Sequence, residues 1–76
     1  MNEPNEDESF KILQRKADAF FVLKRIVHVT LKNDRWKRGT IIDVGADFLI
    51  MEERLEGQIP VFFLEIKDID AFRGDK

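Results

Sequence analysis

Cysteine and tyrosine are missing from this chain of 76 residues, and it has only one histidine, one tryptophan and two prolines. With no cysteine there is no disulfide and no thiolate metal cluster. His28, the lone histidine, has no partner histidine and makes a poor metal ligand, so no metal or cofactor is expected. Long apolar runs are also missing. The longest spans residues 19–23, far short of the ~20 residues a membrane helix needs. The first nine residues are acidic, unlike the basic start of a secretion signal. Together these absences suggest a cytoplasmic protein with no membrane role.

Catalytic machinery is equally sparse. Ser9 is the one serine, and no glycine-rich phosphate loop occurs. Asp43, Asp47, Glu52, Glu53, Asp68 and Asp70 could supply paired carboxylates, but no nucleophile or metal spacing accompanies them. The expectation is a binding protein, not an enzyme.

What the chain does have is aromatic bulk and segregated charge. Seven phenylalanines and Trp36 offer large buried area in a chain too short for a big core. The net charge of -2 conceals an acidic start, a basic stretch over residues 11–38 and an acidic second half. Such blocks suit a two-signed surface with an anionic ligand on one side.

The periodicity changes once. Residues 10–24 place Phe10, Leu13, Ala17, Phe20 and Phe21 on one helical arc, with Asp7 or Ser9 as cap. From Ile26 the apolar period falls to two, with Val27, Val29 and Leu31 facing one way. Asn33-Asp34 marks a two-residue turn. Strands then follow over residues 35–44, 48–53, 58–63 and 67–72, with a helical turn over 64–66. Gly39 suits a bend or close backbone approach, and Pro60 suits an edge strand. The expected organisation is an acidic disordered tail over 1–9, one domain over 10–73 and a frayed end over 74–76. The expected fold is mainly β: an N-terminal helix and five strongly bent strands closing into a small SH3-like barrel.

Three stretches carry a family resemblance. "VHVTLKNDRWKRGTII" resembles the first motif of the Sm-like family, "VGADFLIME" its following turn and third strand, and "IPVFFLEIKDIDAF" the closing strands of such barrels. The resemblance covers residues 10–72 and implies an RNA-binding barrel that forms homo-oligomers through its edge strands. The residues depart from the family at its uridine pocket. Gly45, Asp47 and Leu49 stand where members carry aspartate, a stacking residue and asparagine, and Leu64-Glu65 stands where they carry Arg-Gly.

The residues themselves single out one nucleic-acid candidate. Lys32, Arg35, Lys37 and Arg38 surround a turn with Trp36 among them, and Lys24 and Arg25 end the helix. Clustered cations neutralise phosphates, and an exposed indole stacks on bases. Phe62, Phe63 and Phe72 form a second candidate, an aromatic ligand cleft. The competing functional expectation is a protein-interaction module on the same barrel, with a protein partner in place of RNA.

Overall fold

A computed structural model describes residues 6–73. Helix α1 (Glu6–Leu23) leads into strands β1 (Ile26–Leu31), β2 (Trp36–Val44), β3 (Phe48–Glu53) and β4 (Gly57–Phe62). A 3₁₀ turn, Phe63–Glu65, then leads to β5 (Ile66–Ala71). All neighbouring strands are antiparallel, in the order β4-β3-β2-β1-β5. The expected element order is met. The expected closure by strand pairing is not, because β4 and β5 lie at opposite edges of the sheet and are joined only through the 3₁₀ turn.

The helix starts four residues before the expected position. Glu8 sits in the first turn of α1, where the helix dipole favours negative charge. Asp7 and Ser9 are therefore inside the helix and do not cap it. Of the tail expected over 1–9, residues 1–5 lie outside the described residues, as does the end expected over 74–76. Leu13 and Ala17 are buried and Phe10 and Phe20 partly so, but Phe21 is exposed with Val22 and Leu23. Lys24 ends the helix with φ 56°, donating its N–H to the Phe20 carbonyl at 2.9 Å.

The first hairpin also departs from expectation. Only Asp34 has positive φ, at 68°, so a two-residue turn with both residues left-handed is ruled out. The loop holds three residues, closed by Asp34 N–H to the Leu31 carbonyl (2.9 Å) and Leu31 N–H to the Arg35 carbonyl (2.7 Å). The Asn33 side chain accepts from the Arg35 N–H at 2.9 Å.

One face of the sheet is dry. Val27, Val29, Ile41, Leu49, Met51, Val61, Phe63, Ile66 and Ile69 pack beneath α1, and none of the described polar side chains is buried with them. The sheet bends around this core at two irregularities, where Ile42 and Lys67 are extra residues in their ladders. Gly39 permits the tightest approach: a Cβ there would collide with the backbone carbonyl of Glu52 on β3. Backbone cannot swing aside as a side chain can. Gly39→Ala is expected to cost roughly 1–3 kcal/mol and to lower the thermal midpoint accordingly, as calorimetry would record. An unchanged midpoint would show that β2 and β3 separate freely there.

Candidate nucleic-acid interface

The sheet face opposite the core is the convex one, and strand register decides what it displays. Ile26, His28 and Thr30 of β1 lie opposite Thr40, Arg38 and Trp36 of β2. Because Val27 and Val29 point inward, these alternate residues point outward. Glu52 of β3 lies opposite Thr40, and Asp70 of β5 opposite His28.

Trp36 is 55% exposed, so its indole is not part of the core. It stacks on the His28 imidazole, with centroids 5.0 Å apart and planes 20° from parallel. The pairing follows from strand register: His28 sits diagonally across from Trp36 on the same face, within reach of two ring side chains. Beside this stack the Arg38 guanidinium lies 4.5 Å from the centre of the Phe72 ring, a distance at which cation and ring attract. An open cleft of about 630 Å³ continues from there, lined by Ile26, Arg38, Thr40, Glu52, Arg54 and Phe72 among others. The convex face thus combines an exposed indole stacked on a half-buried imidazole, two guanidiniums and two carboxylates, Glu52 and Asp70.

The residues expected around the hairpin turn and at the end of the helix are distributed over several places. Trp36 and Arg38 are on the convex face. Lys32 is exposed in the adjoining three-residue loop, and Arg35 is exposed where that loop meets β2. Lys24 and Arg25 are exposed at the other end of β1, a strand's length of roughly 17 Å away. Lys37 lies opposite Val29 and so points to the other side of the sheet. There its Nζ meets Glu56 Oε1 at 3.0 Å. No other described member of the set makes an ion pair with a described carboxylate.

The aromatic cleft expected from Phe62, Phe63 and Phe72 does not form. Phe63 is buried against Phe10, edge to face at 5.5 Å. Phe62 is 44% exposed beside Phe48 at the β4 edge, and Phe72 belongs to the convex face. Phe63 packs with the core, whereas Phe62 on β4 and Phe72 after β5 lie at opposite edges of the sheet. Sequence reasoning missed Arg54 and undervalued His28. Only the pairing of Gly39 with Glu53 brings Arg54 beside Arg38, and no local pattern announces that.

A comparison of the whole fold with solved structures finds the crystal structure of Hfq, described as a pleiotropic translational regulator, at a TM-score of 0.70. The match covers 79% of this chain and 98% of that one, at 15% sequence identity. The fold is Sm-like. No protein-family model matches the sequence, and a search of curated proteins finds no match. An Sm-like fold at such low identity leaves the ligand to be argued from this chain's own side chains. Among the described residues, no helix is long and apolar enough to cross a membrane, and no group of three or more His, Asp or Glu is placed to hold a metal.

Proposed function

We propose that this protein binds single-stranded RNA on the convex face of its Sm-like sheet. Arg38, Arg54 and the loop cations Lys32 and Arg35 contact phosphates, and Trp36 stacks on a base. The observation that carries the reading is the exposed Trp36 indole, stacked on His28 beside Arg38. An indole left outside the core of so small a protein forgoes burial that would stabilise it, and a base is a fitting cover for it. The translational regulator that shares the fold supports RNA over DNA, and the net charge of -2 argues against extensive duplex contact. Homo-oligomer formation through edge strands belongs to the same proposal, since β4 and β5 are the free edges of the sheet. The convex face is complete within one chain, so RNA contact does not depend on assembly.

A second reading, a protein-interaction module, is favoured by one observation: Val22 and Leu23 at the end of α1 are 74% and 61% exposed. RNA titration separates the two. Trp36 is the single tryptophan, so its emission reports on the convex face alone. Single-stranded RNA homopolymers at low salt are expected to quench it. Affinity should fall with added salt at a logarithmic slope of roughly -2 to -3, as three or four phosphate contacts give on a single strand. Unchanged emission together with no measurable RNA affinity would remove the RNA reading and leave the interaction module.

A further inference from the structure

Glu52 is out of place on a face read as a phosphate site. Leu49 and Met51 point into the core, so Glu52 points outward from β3, and it is exposed. It lines the convex cleft together with Arg38, Thr40, Arg54 and Phe72. Its negative charge repels the phosphates that the two arginines attract. Neither arginine neutralises it. The Arg38 guanidinium lies instead over the Phe72 ring at 4.5 Å. No described lysine or arginine comes within ion-pair distance of Glu52. Among the described residues its carboxylate also accepts no hydrogen bond. The other acids nearby are engaged. Glu53 Oε1 accepts from the Leu55 and Glu56 N–H groups at 2.8 and 2.6 Å. Asp70 Oδ1 accepts from the Ala71 N–H at 2.9 Å. Glu52 alone of the two convex carboxylates keeps both oxygens open.

The charges define what can occupy that position. An anion meets the carboxylate, and a cation meets two guanidiniums. A neutral planar group with two adjacent N–H donors meets neither objection, because a carboxylate accepts two parallel hydrogen bonds through its two oxygens. Bases in single-stranded RNA are read on their Watson–Crick edges. Guanine presents such a donor pair there, N1–H beside the N2 amino group. Adenine and cytosine each set one donor beside a ring nitrogen acceptor. Uracil sets its one N–H between two carbonyls. In those three bases an acceptor faces the carboxylate and leaves one of its oxygens unpaired.

We infer that Glu52 reads guanine, accepting N1–H and N2–H on its two carboxylate oxygens while Arg38 and Arg54 hold the flanking phosphates. The inference rests on the RNA reading above and adds a base preference to it. Thr40, directly opposite Glu52, carries a hydroxyl that can donate to guanine O6. Thr40 lies four residues along β2 from Trp36, roughly 13 Å, so the base read by Glu52 and the base stacked on Trp36 belong to different nucleotides.

The test compares labelled adenosine hexanucleotides that carry one guanosine, one inosine or neither, by fluorescence anisotropy at low salt. Wild-type protein is expected to bind the guanosine oligonucleotide about tenfold more tightly than the all-adenosine one, the discrimination given by one bidentate contact. Inosine lacks the N2 amino group and should fall between them. Glu52→Ala, a change at an exposed side chain, should bring all three to within about twofold of one another, by weakening guanosine binding relative to adenosine. Equal affinity of wild type for guanosine and adenosine would overturn the inference and leave the RNA reading standing. So would inosine binding as tightly as guanosine, or a guanosine preference that survives in Glu52→Ala. A carboxylate that only repels phosphate predicts a different result: no preference in wild type, and a uniform gain for all three in the variant. No binding of any of the three would remove the RNA reading and this inference with it.

Discussion

Trp36→Ala combined with Arg38→Glu is expected to weaken single-stranded RNA binding by about a hundredfold or more without unfolding the protein. Stacking of one base on an aromatic side chain is worth about 1–3 kcal/mol by alanine substitution, and ~1.4 kcal/mol is a factor of ten. Reversing the Arg38 charge then replaces a phosphate contact with repulsion. The fold should survive, because neither side chain belongs to the buried cluster beneath α1. Lys37→Ala is the contrasting control. It adjoins both residues in sequence, yet its ammonium points to the opposite side and is already paired with Glu56 at 3.0 Å. Fluorescence anisotropy with labelled RNA should find Lys37→Ala close to wild type. If Lys37→Ala loses as much affinity as the Trp36/Arg38 variant, phosphate contact is made elsewhere and the convex face is the wrong surface.

Phe63→Ala should be severely destabilising. Phe63 is 1% exposed and sits in the 3₁₀ turn that carries the chain from one sheet edge to the other. Its ring packs edge-on against Phe10 of α1 at 5.5 Å, tying the helix to the turn. Truncating a buried phenylalanine costs about 3–5 kcal/mol. A single small domain has only about 5–15 kcal/mol to lose. For a domain of this size the thermal midpoint should fall by roughly 15–30 °C. Phe62→Ala is the neighbouring comparison: that ring is 44% exposed, and its loss should shift the midpoint only slightly. Chemical denaturation of both variants would decide the matter. Equal losses would mean that the core is not organised around the turn.

Both expectations depend on information of two kinds. Local pattern was enough to place the helix, the five strands and the glycine at the close approach. Apolar residues recur at 3.6 before Lys24 and at 2 after Arg25, and those periods are properties of neighbouring residues. The same alternation shows which side of β1 is inward, and so puts His28 on the outward side. It could not rank Trp36 against the core, because an indole at a strand start satisfies either environment.

The sequence by itself determined the element types, their order, the inward faces and the presence of a basic stretch around one hairpin. Tertiary structure alone decided which cations act together. Register places Arg54 beside Arg38 and turns Lys37 away, and it leaves Lys24 and Arg25 a strand's length from the loop. It also decided that the sheet stays open, with β4 and β5 at its opposite edges. The physical reason is range. Periodicity is set by steric repeats within a few residues. Cross-strand neighbours are set by how a whole bent sheet settles on its core, which no window along the chain contains.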